Sequence, residues 1–376
     1  MARVPSSIYL TNTQAPTTGG AGGKTVTVTT FAQLQQYAES AETLVIQVSG
    51  TLSAPGEHGL IRIQSNKTII GLGGNAVLNK VTLSVNGFRA GKTCNVEDYG
   101  SFTPASHVII RHLECTGLAE FPDDSDVDPD AIRVECYSRH VWIDHNTFQY
   151  GADGATDVKR GADMVTLSYD HYVETVKTAL IGHSDNNADQ DRGLLNVTFH
   201  HNFFDKTDTR TPRLRFGYVH VYNNDYDFIT HAFRIGPEGQ ITADGNYVAS
   251  AEGKILRDTE NEGSLTWTTS NVWDKTAYGD IGAEKLDADP SVASPPYSYS
   301  PDPAPSSAPN AGAGRIESYD LGPALQRDVS SRAYGQYSTA PTSGALPQGT
   351  GLPSQSTQAC MASGLPASTA GLVGAR

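Results

Sequence analysis

An eight-residue pattern recurs through the middle of this chain, with apolar residues at its first, third and last positions and an amide or carboxylate at the sixth. Copies begin at Val141 (VWIDHNTF), Val165 (VTLSYDHY), Val197 (VTFHHNFF), Val219 (VHVYNNDY), Ile241 (ITADGNYV) and, more loosely, Thr266 (TWTTSNVW), 22 to 32 residues apart. Alternation rich in Val, Ile, Thr and aromatic residues is the signature of a β-strand. Its recurrence at this period means that each copy belongs to one unit of a stack. The unit is too short for a helical hairpin, and it lacks the fixed leucines of a leucine-rich repeat. Short strands joined by bends, with coils stacked roughly 4.8 Å apart, satisfy the pattern. The expected architecture is all-β, a single-domain right-handed parallel β-helix.

Stacking places Asn146, Asp170, Asn202, Asn224, Asn246 and Asn271 above one another at a strand-ending bend. Asn tolerates the left-handed backbone region there, and its amide can bond its neighbours along the stack. An Asn that only marks the turns of a β-sandwich would not keep so regular a frame. Near the N-terminus, Thr30-Phe31-Ala32-Gln33 matches a capping box, and Phe31, Leu34 and Tyr37 share one helical face, so a short helix is expected to cover the open end of the stack. Strands are expected at Thr25 to Thr29, Leu44 to Val48, Leu60 to Ile63, Lys67 to Ile70, Val81 to Val85 and Val108 to Leu113. Three excursions, Gly87 to Ala105, Phe121 to Asp130 and His183 to Arg192, read as loops thrown off the coils to wall a groove.

These elements divide the chain into an N-terminal lead at 1–18, a β-helix domain at 19–314 and a Pro/Ser/Ala/Gly-rich tail at 315–376, expected to be loosely packed. A net charge of −14 argues against nucleic acid or an anionic membrane as a partner, but an acidic substrate needs only a local cluster of cations. No apolar run is long enough to span a bilayer, and no signal-peptide core follows Met1. Cys94, Cys115 and Cys136 stand 21 residues apart, so a bond between coils is geometrically open, as are buried free thiols, and Cys360 is expected to be unpaired.

The residues that carry chemistry are of opposite sign. Asp128, Asp130, Asp153 and Asp157 flank the Val141 octad, and stacked coils would bring these carboxylates within reach of one cation. Carboxylates without clustered Cys or His suit a hard ion, Ca²⁺ over Mg²⁺ where the shell is completed by water; the bland alternative is an acidic surface loop. Arg210-Thr-Pro-Arg213-Leu-Arg215 puts Arg213 and Arg215 on one side of an extended strand, with Lys177 a coil earlier. Tandem arginines suit carboxylate recognition, though a ladder of salt bridges with the many aspartates would look the same.

Over residues 19 to 314 the chain resembles the pectate lyases of polysaccharide lyase family 1. The resemblance is carried by Asp128-PDAI, Val141-WIDH, Asp153-GATDVKRG, Val165-TLSYDH, Asn196-VTFHHN, Arg210-TPRLRFG and Val219-HVYNN, together with Thr17–Val28 and Ser65–Gly74. It implies that Asp130, Asp153 and Asp157 ligate Ca²⁺ with Asp128 as an additional ligand, that Arg210 is the catalytic base, and that Lys177 and Arg215 bind substrate carboxylates. Asp153 stands where some members carry Glu. The implied reaction is β-elimination of α-1,4-linked polygalacturonate, giving 4,5-unsaturated products. The long flanking loops lean towards internal cutting by a monomer, and of a cytoplasmic protein or a secreted one in mature form with an added Met1, such a substrate favours the second. An arginine must lose its proton before it can act as a base, so activity is expected to rise in alkali. The alternatives are a pectin lyase acting without calcium, a glycoside hydrolase using Asp153 and Asp157 as its acid/base pair, and a pectin-binding protein without activity.

Overall fold

The octads lie where neighbouring coils hydrogen-bond. In the computed structural model, Val141, Val165, Val197, Val219 and Ile241 are paired in parallel register, one above the next. The structure describes residues 16–87, 94, 103–118, 129–150, 153–227, 229–231, 233–248, 263–273 and parts of 292–302, all within one compact unit. Asp128, Cys360, most of the loops at 88–102 and 119–128, and the tail from 315 lie outside the described residues.

Three parallel sheets run the length of the stack, with ten, nine and seven strands among the described residues. Each coil visits the octad sheet, turns through the Asn bend into the nine-stranded sheet, and returns through the seven-stranded sheet that carries the charged residues. The last octad deviates: Leu265 rather than Thr266 pairs with Ile241, while Asn271 still meets Asn246, so the bend before Asn271 takes up one extra residue. The helix Phe31–Ala38 is capped by Thr30, whose side chain accepts from the Gln33 N–H, and it buries Leu34 and Ala38 against the first coils.

Each octad position has a separate duty. The first and third side chains fill the core: Val141, Ile143, Val165, Leu167, Val197, Phe199, Val219 and Val221 are all buried. The last position makes an internal aromatic stack, Phe148, Tyr172, Phe204 and Tyr226, with ring centroids 4.6 to 5.1 Å apart. These four rings are fully or almost fully buried. Burial and stacking reinforce one another along the axis.

The sixth position forms a buried ladder. Asn202 Nδ2 donates to Asn224 Oδ1 at 2.9 Å, Asn224 to Asn246 at 3.0 Å and Asn246 to Asn271 at 2.8 Å. The left-handed residue of the bend is the one before the ladder: His145, Tyr169, His201, Asn223 and Gly245 have φ between 52° and 57°. The expectation that the ladder Asn itself takes this conformation is therefore corrected. Its amide must turn inward to satisfy the stack, and the preceding residue makes the bend.

Asp170 breaks the ladder's chemistry. Its Oδ1 accepts from Asn146 N and Nδ2, but its Oδ2, where the other members carry a donating NH₂, is buried without a hydrogen-bond partner. Burial pushes this carboxyl well above its usual range, with the charge of Asp144 adding to the rise. A raised folded-state value means that ionisation opposes folding once pH exceeds the unfolded value, and that the penalty is absent in acid. Asp170→Asn is therefore expected to stabilise by about 1–3 kcal/mol at pH 8. Urea denaturation should show the gain shrinking towards pH 4, and an equal gain at both pH values would disprove the account.

Cys94 is bonded to Cys136, with Cα atoms 5.5 Å apart. Cys115 points into the hydrophobic core and is a free thiol, which leaves the two cysteines flanking it in sequence to pair. Across the octad sheet lies a strap near residue 300. Tyr297 Oη bonds Thr198 Oγ1 and His220 Nδ1 at 2.8 and 2.7 Å, Tyr299 Oη bonds Asp244, and Asp302 meets His201 Nε2 at 3.0 Å. Asn223 and Asp302 close the strap with two further bonds, side chain to backbone.

Candidate active site

Strand alternation and coil stacking together build the charged face of the seven-stranded sheet. Arg133, Asp157, Leu180, Arg213 and Arg234 are in register on five successive coils. Residues in register share a face and repeat roughly every 4.8 Å. The later coils carry cations, while on the earlier ones Asp157 stands next to Arg133 in the row.

Asp130 and Asp157 converge on Gly154. Asp130 Oδ1 accepts the Gly154 N–H at 3.1 Å, and Asp157 Oδ1 accepts the Leu180 N–H at 3.3 Å. A Cβ at position 154 would lie 2.3 Å from Asp157 Oδ1 and 2.4 Å from Asp130 Oδ1. Glycine thus keeps open the space that two carboxylate oxygens face. Both side chains are buried, at 1% and 3% exposure, so they need a cation. Lys159, on the same face two residues beyond Asp157, supplies one: its Nζ lies 2.9 Å from Asp130 Oδ2 and 3.5 Å from Asp157 Oδ2.

Asp153 is placed differently from the other two. Its Oδ1 lies 3.6 Å from both Lys177 Nζ and Arg210 Nη1, and its side chain is partly exposed. Among the described residues no three acidic groups gather as a metal cluster. Of the expected ligands, Asp130 and Asp157 converge on Gly154, and Asp153 faces Lys177 and Arg210.

Arg210 opens the segment after the bridge between Lys177 and Thr209. Its carbonyl accepts the Ala179 N–H at 2.7 Å and its side chain is 17% exposed, so the guanidinium is held at the sheet face. Its positive φ of 64° is shared by many bends of this solenoid and is not by itself a mark of function. Arg213, partly buried, has Arg210, Arg215 and Arg234 for neighbours. Burial first, and then these three charges, pull its pKa down to about 10, with Asp185 working the other way. Four guanidinium groups gathered in one place suit an incoming polyanion.

Arg215 is expected to bind a substrate carboxylate. It is buried, its Nε pairs with Asp185 and its Nη1 donates to the Gly182 carbonyl at 2.8 Å. Glycine at 182 and 236 leaves room for it, since a Cβ at either position would lie 3.1 Å from an Arg215 carbon. Asp185 belongs to the expected loop at 183–192, which contains one helical turn, Ala188–Asp191. That loop is pinned again by Asp191, which accepts the Gly161 N–H at 2.7 Å, and by Gln190, which bonds the Cys94 carbonyl at 2.9 Å. Burial lifts the Asp191 carboxyl to about 6. Neither Lys159, two residues beyond Asp157 on the same strand face, nor Asp185, the partner of Arg215, was singled out from the sequence.

With this geometry in view, the profile of the pectate lyase family matches residues 4–315. The chain belongs to the pectate lyase family. Pectate lyase E of Dickeya chrysanthemi is 31% identical over 296 residues, covering 66% of this chain and 69% of the relative. A thermostable pectate lyase superposes with a TM-score of 0.62 at 25% identity, covering 77% of this chain and 92% of that one. A pectate lyase of Bacillus sp. N165, solved in complex with trigalacturonate, superposes with a TM-score of 0.59 at 26% identity, over 77% and 91% of the two chains. The pectate lyase fold thus accounts for the solenoid, and the charged face of its seven-stranded sheet is the place to look for chemistry.

Proposed function

We infer that this pectate lyase cleaves polygalacturonate by calcium-dependent β-elimination, cutting within the chain. The observation that carries the reading is the juxtaposition of Asp130 and Asp157, two buried carboxylates facing one space, with Lys177 and Arg210 meeting at Asp153 beside them. Two carboxylates whose oxygens converge where no Cβ intrudes offer the hard donors that Ca²⁺ prefers. Asp130 and Asp157 would hold the ion, with Asp153 beside them as the third expected ligand. When bound, it supplies Lewis-acid charge to a uronate carboxylate, which makes the neighbouring C5 proton more acidic.

The chain's own residues do the rest. Arg210 accepts the C5 proton, the C5–H electron pair becomes the C4–C5 double bond, and the C4–O4 bond breaks with its electrons passing to the leaving oxygen, which is then protonated. Lys177 and the arginines beside Arg210 stabilise the negative charge that builds on the carboxylate, which is electrostatic catalysis by groups already in place. Arg215 serves this end by fixing the loop at 183–192 through Asp185 and Gly182. A glycoside hydrolase would need an acid/base carboxylate pair facing the groove; Asp153 is ion-paired to two cations and Asp157 is buried.

Absorbance of the unsaturated product is expected to grow on polygalacturonate with calcium, to stop in excess chelator, and to fall progressively as methyl esterification removes the charges to be read. Equal activity in chelator, or a preference for highly esterified polymer, would overturn this reading in favour of a pectin lyase. Secretion belongs to the same proposal. The substrate is a large polyanion that cells do not take up intact, and the Cys94–Cys136 bond suits an oxidising compartment.

A further inference from the structure

The acid pair does not stand alone. Lys159 Nζ reaches Oδ2 of both Asp130 and Asp157 while their Oδ1 atoms face Gly154 from the other side. Its side chain is only 9% exposed, so the ammonium acts where solvent screens it little. The nearby Glu135, held by Ser84 and Asn86 at 2.9 and 3.0 Å, adds a third acid to the Lys159 surroundings. Arg133, in register with Asp157, is directed instead at Glu135, 3.3 Å away. Lys159 contacts both carboxylates directly.

We propose that Lys159 is a built-in counter-cation of the Asp130–Asp157 pair, holding the two carboxylates together and weakening their affinity for a divalent ion. It is a positioning residue. The inference rests on the proposed calcium site but goes beyond it: the same lysine that keeps the pair from repelling itself also competes for its charge. Two consequences follow in opposite directions. Loss of the ammonium removes a cation within reach of two buried carboxylates, which weakens the metal-free fold. It also removes a positive charge from within hydrogen-bond reach of the ligands, which strengthens calcium binding, and at an effective dielectric near 20 this amounts to about tenfold or more.

Calorimetric calcium titration of the full chain, with melting temperatures in chelator and in calcium, tests this. Lys159→Met is expected to bind calcium about tenfold tighter than wild type or more, to melt lower in chelator, and to gain more from added calcium. Lys159→Gln, with a polar replacement that disturbs packing less, is read the same way if the Met variant does not fold. Lys159→Arg keeps the charge and is expected to stay near wild-type affinity; a purely packing role would instead make Arg the more damaging change. Calcium affinity that is unchanged or weaker in both uncharged variants overturns the counter-cation role. Failure of the wild type to bind calcium would overturn the calcium site itself, and with it this inference.

Discussion

Arg210→Lys is expected to lower kcat on polygalacturonate by on the order of 10²-fold or more, with only a modest change in KM. Lysine keeps the positive charge, so an arginine that only anchors a carboxylate would be partly replaced, and the loss would appear in KM. A base is different, because the accepting nitrogen must sit at one place. The Arg210 guanidinium is placed by its backbone bond to Ala179 and by Asp153 at 3.6 Å. A shorter side chain with a tetrahedral ammonium cannot present a nitrogen at the same point. Lys177→Gln is the comparison, expected to raise KM chiefly, since Lys177 approaches the same Asp153 oxygen and is assigned to binding. Steady-state kinetics through the alkaline range decides the matter. If Arg210→Lys kept most of the wild-type kcat there, the base would be another group, and Lys177 would be the first to examine.

The largest effect on stability is expected from the ladder. Asn202 is fully buried; its backbone N–H and Nδ2 both donate to Asn224 Oδ1, Nδ2 also reaches the Leu167 carbonyl at 3.0 Å, and its Oδ1 accepts the Asp170 N–H at 3.0 Å. Alanine would leave the Asp170 N–H without an acceptor and remove the donor to Leu167 in a place closed to bulk water. Each buried group left unsatisfied loses about 1–3 kcal/mol, so the two together lose about 2–6 kcal/mol. Denaturant unfolding of Asn202→Ala measures it. A loss below about 1 kcal/mol would mean that the ladder orders the bend without stabilising it.

Much of the fold was legible because the solenoid repeats its instructions. Each octad carries its own alternation and its own Asn, and the copies corroborate one another, so the core rows at Val141 and Ile143 and the strands Leu44–Val48 and Val81–Val85 were evident from spacing. The candidate site was less so. Asp130 and Asp157 converge as stacking suggests, but Asp153 turns to Lys177 and Arg210, a choice set by side-chain reach and not by coil spacing. The partner of Arg215 sits in a loop with no periodicity, so only folding reveals Asp185. The disulfide was undecidable from three equally spaced cysteines. Whether a cysteine faces the core, as Cys115 does, depends on strand phase in coils that carry no octad.

The strap near residue 300 changes how the molecule should come apart. In a solenoid each coil normally touches only its neighbours, so unfolding can begin at one end and proceed coil by coil. Tyr297, Tyr299 and Asp302 instead tie Thr198, His220, Asn223 and Asp244 to a single segment, across coils that are not all adjacent. The C-terminal end of the stack is thereby joined to the coil that precedes Arg210. Separation of the coils that carry Thr198, His220 and Asp244 must release the strap first, so these coils and the face that holds Arg210 share one cooperative unit.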